Sequence, residues 1–197
     1  MVRLMRENIA HYKLILASAS PRRKELLKGL DVDYEVRLID NIDESYPPHL
    51  QKEDIPLAIA QNKAAAYLPT LAADELLLTA DTIVWLDGDV IEKPKDKADA
   101  ISMLGRLSGR RHQVITGVCL CTKEKQRTFS VVTDVVFAKL TAEEIAYYVD
   151  KYKPYDKAGS YGIQEWIGYV GVESIEGSYF NVMGLPIQRL YQELKQF

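Results

Sequence analysis

The 197 residues carry 25 Lys and Arg against 28 Asp and Glu, a formal charge of −3, with 47% hydrophobic and 27% charged residues. These proportions suit a soluble globular chain, one domain or one domain with two lobes, and give no global pull toward nucleic acid. No apolar run reaches the length of a membrane span, and MVRLMRENIAHYK lacks the continuous apolar stretch of a secretion signal. Cys119 and Cys121, the only cysteines, share one face of an apolar run. That placement predicts packing rather than a disulfide. With three scattered histidines (His11, His49, His112) they form no zinc set, and the expected compartment is a reducing cytoplasm.

Residues 1–12 read as a mixed leader. Leu14-Ile15-Leu16-Ala17 predicts a short buried strand. Ser18, Ala19 and Ser20 follow, and Ser20 with Pro21 suits an N-cap and first helical position. Leu26 and Leu27 form the apolar side of that helix, and Gly29 falls where a left-handed cap is expected. Arg22 and Arg23 therefore stand in a first turn whose N–H groups point outward. Two positive charges there oppose the macrodipole, at roughly 0.3–1 kcal/mol each on an exposed helix. A bound phosphorylated anion would reverse that sign. The alternative is a solvated basic face.

Val32 to Ile39 alternates like a strand, then Asn41-Ile42-Asp43-Glu44-Ser45 forms an acidic bend closed by Pro47-Pro48. Asp54 and Pro56 open an alanine-rich helix that ends at Pro69, so its neighbours can approach closely. Lys63 lies within it, and spacing alone assigns Lys63 to the surface. Leu76 to Ala80 reads as a buried strand, interrupted by Asp81-Thr82 before Ile83 to Leu86. A carboxylate in so apolar a run must be paired, metal-bound or shifted in pKa if it is buried. Asp81 is thus a functional candidate, with a hydrogen-bonded strand-end Asp as the alternative. Asp87-Gly88 signals a hairpin that returns Glu92 and Lys93 toward Asp81.

Asp96 caps a helix that stops near Gly109. Strands follow over His112–Thr122 and Thr128–Leu140. Thr141 to Glu144 has the capping-box pattern of a helix running to Tyr152. The glycines of Asp156 to Gln164 suit a loop that lets backbone approach a ligand. Val170–Ser174 and Tyr179–Val182 read as a second hairpin about Glu176-Gly177, and Ile187–Leu194 as a final amphipathic helix. The expected architecture is α/β, a mixed twisted β-sheet flanked by helices, because strands outnumber helices and are often hairpin-joined. No GxGxxG or Walker loop supports a Rossmann or P-loop reading.

LASASPRRKELL at 16–27, the Lys63 helix, ADT at 80–82, EKP at 92–94, LSGRRHQVITGV at 107–118, DKAGSYGIQ at 156–164 and VMGLP at 182–186 together resemble the Maf family. These are nucleoside-triphosphate pyrophosphatases related in fold to the inosine-triphosphate pyrophosphatases. The resemblance runs from about Lys13 to the C-terminus and implies one two-lobed domain over 1–197. DKAGSYGIQ is similar to the branch acting on dTTP and UTP. The resemblance implies that Ser18, Arg22, Arg23, Lys63 and Lys93 hold the triphosphate. It implies that Glu44 and Asp81 serve a divalent metal, Mg²⁺ or Mn²⁺, with Asp81 as the base that activates water. Arg22, Thr82 and Gln164 fall at positions associated with substrate choice. Two departures bear on the pocket: Thr79 stands where glycine is usual, and Glu165-Trp166 replace the glycine that commonly follows Gln164.

The expected partner is therefore a nucleoside triphosphate, with no nucleic acid or membrane, and a homodimer stays open. A 7-methyl-GTP or broad modified-nucleotide pyrophosphatase is the competing enzyme. A nucleotide sensor linked to cell division is the competing binding protein.

Overall fold

A computed structural model describes residues 9–197. Most of the proposed leader lies outside the described residues. The chain divides into two compact units. Residues up to Asp81, Thr116–Val131 and Gly184–Phe197 make the first; Thr82–Ile115 and Val132–Met183 make the second.

The first unit opens with β1 (Lys13–Leu16), α1 (Pro21–Lys28) and β2 (Tyr34–Val36). β1 pairs in parallel with β2 and with the start of β3 (Glu75–Leu86). Ser20 caps α1 as expected, its hydroxyl accepting the Arg23 N–H at 3.5 Å behind Pro21. Gly29 differs from expectation: its φ is −65°, and the left-handed residue comes later, at Asp31. The turn instead continues through Leu30 and Asp31, whose N–H groups reach Leu27 and Lys28 carbonyls.

β2 is also shorter than its alternation predicts. Tyr67 takes over the pairing beyond Arg37: its hydroxyl donates to the Arg37 carbonyl and accepts the Ile39 N–H, both at 3.0 Å. Tyr67 belongs to α2 (Asp54–Tyr67), which packs Ala60, Ala64 and Tyr67 on Ile15, Leu77, Cys119 and Cys121. Gly117 of β5 (Arg111–Cys121) shows how close that packing is. A Cβ there would lie 2.4 Å from the Pro56 carbonyl carbon. The two cysteines are unbridged, and burial pushes the Cys119 thiol up to about 12, so they pack as small apolar groups.

Arg37 and Glu75 tie β2's exit to the start of β3 through two bonds of 2.9 and 2.6 Å. The Arg37 hydrogen bonds pull Glu75 from 4.5 down to about 2, against the opposing effect of burial. A depressed carboxylate contributes stability above its unfolded pKa and loses it as pH falls through the folded one. Stability should therefore fall between about 4.5 and 2. Glu75→Gln should flatten that part of the curve in urea unfolding; an unchanged slope contradicts the assignment.

β3 runs unbroken for 12 residues. The sequence predicts an interruption at Asp81-Thr82, but the strand continues through both, with the Asp81 carboxylate paired to Lys63. In the second unit β3 turns at Asp87 and Gly88, both at positive φ, into antiparallel β4 (Asp89–Ile91). α3 (Lys97–Leu107) starts at Asp96, whose carboxylate accepts the Asp99 N–H at 2.9 Å. α4 (Ala142–Tyr152) starts on the expected capping box of Thr141 and Glu144.

The proposed second hairpin is corrected. Residues 166–171 form α5 (Trp166–Gly171), β7 (Val172–Glu176) pairs antiparallel with β6 (Gln126–Phe137), and Tyr179–Met183 is helix α6. Asn181 explains the helix. Its amide donates to the Val114 carbonyl at 3.1 Å and the Thr133 hydroxyl at 3.0 Å, an anchor that β-propensity cannot register. The final helix, α7 (Ile187–Gln196), closes the first unit as expected.

The strand order is β2-β1-β3-β5-β6-β7, with β4 on β3, a mixed sheet flanked by helices. The second unit's core joins Leu104, Leu107, Phe137, Tyr148, Tyr161 and Ile163. His112 belongs there too, 2.7 Å from the Tyr161 hydroxyl, and burial pulls its pKa to about 4.

Candidate active site

In the first unit, three of the expected residues meet at one point. Lys63 Nζ lies 2.8 Å from Asp81 Oδ1 and 3.0 Å from Glu44 Oε1. The Lys63 and Asp81 side chains are only 13% and 15% exposed. This corrects the surface placement that helical spacing gives Lys63. An isolated helix pattern shows which residues share a face, not which face meets a carboxylate on a neighbouring strand. Thr79 helps set the meeting: its buried hydroxyl donates to the Ala60 carbonyl at 2.7 Å, tying β3 to α2 one turn before Lys63. The departure from glycine at this position is thus a strand-to-helix clasp beside Asp81.

Glu44 arrives on the acidic bend. Asp43 shapes that bend by accepting from the Ser45 N–H at 2.8 Å and the Ser45 hydroxyl at 2.9 Å. The Ser45 bonds hold Asp43 below its usual range. Asn62, one residue before Lys63, donates to the Ser45 carbonyl at 3.1 Å. The bend and α2 are therefore fastened together where Glu44 and Lys63 pair.

The basic loop approaches the same point. Ser18 is buried, and its hydroxyl accepts the Ser20 N–H at 3.3 Å. Arg23 donates from Nε to the Gly184 carbonyl and from Nη1 to the Ala80 carbonyl, each at 2.8 Å. Burial lowers the Arg23 pKa, Asp81 and Glu44 oppose that shift, and Arg22 adds to it. Arg23 thus braces the backbone next to Asp81 as well as bringing charge, a role the sequence does not reveal.

Lys93, Thr82 and Gln164 belong to the second unit. Thr82 follows Asp81 on β3. Lys93 is exposed, two residues beyond β4. The Gly159 N–H donates to the Glu92 carbonyl at 3.1 Å, so the 156–164 loop is joined to the segment that carries Lys93. Gly159 has φ +69°, and a Cβ there would lie 2.9 Å from a Val84 methyl. Both conditions demand glycine. Gln164 Oε1 is buried, with no hydrogen-bond partner among the described residues.

Among the described residues no three His, Cys, Asp or Glu side chains cluster as a self-sufficient metal cage. Glu44 and Asp81 nevertheless fit a hard divalent cation. Their oxygens already converge on one positive charge, and Mg²⁺ commonly takes one or two carboxylates plus substrate phosphates.

A family model described as Maf-like protein matches residues 13–197. The chain belongs to the Maf family. Within it, the chain is 63% identical over 193 residues to a dTTP/UTP pyrophosphatase of Parabacteroides distasonis, covering 98% of this chain and 100% of the relative. It is 65% identical over 192 residues to a dTTP/UTP pyrophosphatase of Bacteroides fragilis, with the same coverage. A dTTP/UTP pyrophosphatase of Porphyromonas gingivalis is 52% identical over 195 residues, covering 98% of each chain. Among solved structures, the chain is similar to a HAM1 protein from Coxiella burnetii at TM-score 0.49 and 13% identity, over 94% of this chain and 100% of that one. Glu165 and Tyr148, which touch the Gln164 loop, carry no motif; the departure from glycine at Glu165 is the signal the sequence offers.

Proposed function

We propose that the chain hydrolyses nucleoside triphosphates, dTTP and UTP foremost, to nucleoside monophosphate and pyrophosphate. The observation that carries this reading is the pairing of Asp81 and Glu44 with Lys63 beside the basic loop of α1. The names of the close relatives support the choice of dTTP and UTP.

A triphosphate brings several negative charges that must be offset before a nucleophile can approach. Ser18, Arg22, Arg23, Lys63 and Lys93 supply donors and positive charge for that purpose. Asp81 takes the proton from the attacking water. The Arg23 bond to the Ala80 carbonyl fixes the backbone next to Asp81, so the carboxylate keeps its aim. Glu44 and Asp81 would hold a divalent cation, Mg²⁺ or Mn²⁺, which when bound offsets charge on the phosphates and leaving pyrophosphate. As the nucleotide is engaged, Lys63 can move its ammonium from the carboxylates to a phosphate oxygen. Thr82 and Gln164 contribute to selecting the base. The unbridged, buried cysteines agree with a reducing cytoplasm. No helix among the described residues is long and apolar enough to cross a membrane.

A panel of nucleoside triphosphates, assayed for pyrophosphate with Mg²⁺, Mn²⁺ or chelator, tests this reading. dTTP and UTP should be the best substrates, and chelator should abolish turnover. A purine triphosphate preferred over both would overturn the assigned specificity. Full activity in chelator would overturn the cation site.

A further inference from the structure

Behind the Gln164 loop, the second unit buries a polar network that the reaction as described does not use. Glu165 Oε1 lies 3.2 Å from Lys157 Nζ, and its other oxygen accepts from the Tyr148 hydroxyl. That hydroxyl accepts the Gly162 N–H at 3.0 Å. Lys157 also reaches Asp156 at 2.8 Å. The Lys157 and Glu165 side chains are only 9% and 19% exposed. Buried charge of this kind is costly, and removing one partner leaves the other uncompensated. The network therefore resists rearrangement.

Gly162 is the floor on which its parts meet. A Cβ there would stand 2.9 Å from Glu165 Cδ, 3.0 Å from Lys157 Cε and 3.1 Å from Gln164 Nε2. Three side chains thus pack on the bare face of one glycine, and the Gln164 amide is seated beside the two charged groups. Its Oε1 is buried without a hydrogen-bond partner among the described residues. Leaving a buried acceptor unmet is costly, and a ligand donor would recover that cost.

We propose that Glu165 is a positioning residue for base selection: through Lys157, Tyr148 and the Gly162 backbone it holds Gln164 Oε1 as a fixed acceptor for the N3–H of uracil or thymine. This inference rests on the pyrimidine-triphosphate reading above. Uracil and thymine carry a donor at N3, whereas cytosine carries an acceptor there. UTP and CTP have nearly the same shape, so their ratio isolates the polarity of that one edge. With the amide fixed, cytosine meets acceptor with acceptor. With the amide released, Gln164 can rotate to offer Nε2, and discrimination falls.

The test measures kcat/KM for UTP and CTP in wild type, Glu165→Ala, Glu165→Gln, Gln164→Ala and the Gln164→Ala/Glu165→Ala double variant. Thermal unfolding of each runs in parallel. Wild type should favour UTP by ~10-fold or more, the worth of one unmet polar group. Glu165→Ala should bring that ratio close to the value of Gln164→Ala, and the double variant should lower it no further. Glu165→Gln keeps an acceptor for Tyr148 and should retain most of the preference. A wild-type ratio in Glu165→Ala overturns the inference, and so does an additive double variant, which would mean that Glu165 acts apart from Gln164. If Glu165→Ala does not fold, Tyr148→Phe carries the test, since it removes the hydroxyl joining Glu165 to Gly162. A wild-type ratio in Tyr148→Phe likewise overturns it. Failure of wild type to release pyrophosphate from UTP defeats the reaction reading and this inference with it. Normal release with unaltered ratios in the variants defeats this inference alone.

Discussion

Asp81→Asn should lower pyrophosphate release from UTP by ~10²–10⁴-fold, the usual worth of a general base, while nucleotide binding persists. The amide keeps the shape of the carboxylate but cannot take a proton from water. Lys63 makes the substitution interpretable. Its Nζ sits 2.8 Å from Asp81 Oδ1 and 3.0 Å from Glu44 Oε1, so Glu44 remains to partner the ammonium when Asp81 loses its charge. The fold around the site is likewise held by other groups, including the Thr79–Ala60 clasp and the Arg23 bond to the Ala80 carbonyl. Pre-steady-state turnover and nucleotide titration, run on one preparation, separate the two effects. Near-normal turnover would show that Asp81 is a structural partner of Lys63.

Gly168→Ala should be the most destabilising single methyl in the second unit. Gly168 lies in α5, and a Cβ there would fall 1.7 Å from the Ile163 carbonyl oxygen and 2.5 Å from its carbon. Backbone cannot swing aside as a flexible side chain can. Overpacking costs typically 1–3 kcal/mol and more when backbone must shift, so ~3 kcal/mol or more is expected here. For a chain of this size that lowers Tm by ~6–12 °C. Because Ile163 directly precedes Gln164, the displacement should also reduce the UTP preference over CTP. Differential scanning calorimetry with the paired kinetics checks both. A Tm within a degree or so of wild type would mean that α5 seats differently from the arrangement described.

The elements most legible in the sequence were those decided by a few neighbouring residues. Ser20-Pro21, Asp96, the Thr141–Glu144 capping box and the Asp87-Gly88 turn each satisfy or redirect local backbone groups, and each stands where the pattern placed it. The misreadings share a different cause: a distant partner decided the outcome. Tyr179 to Val182 has the aromatic and β-branched character of a strand, yet Asn181 bonds Val114 and Thr133 and the segment is helical. Asp81 looked like a break in β3, yet Lys63 compensates its charge and the strand continues. Lys63 looked like a surface residue because its two carboxylates come from elsewhere in the chain. The resemblance to the Maf family implies Lys63 for the triphosphate and Glu44 and Asp81 for a metal, and only the fold shows both carboxylates meeting the Lys63 ammonium. Arg23 illustrates the remainder: its motif implied phosphate contact, and its bonds to Ala80 and Gly184 add a bracing role that no spacing encodes.

The central claim is cleavage between the α and β phosphates. A ³¹P NMR time course of UTP with the purified protein and Mg²⁺ tests it most directly, because every phosphorus product is seen at once. The account predicts that UMP and pyrophosphate appear together in equal amounts from the first time point. UDP with orthophosphate as the first products would contradict it.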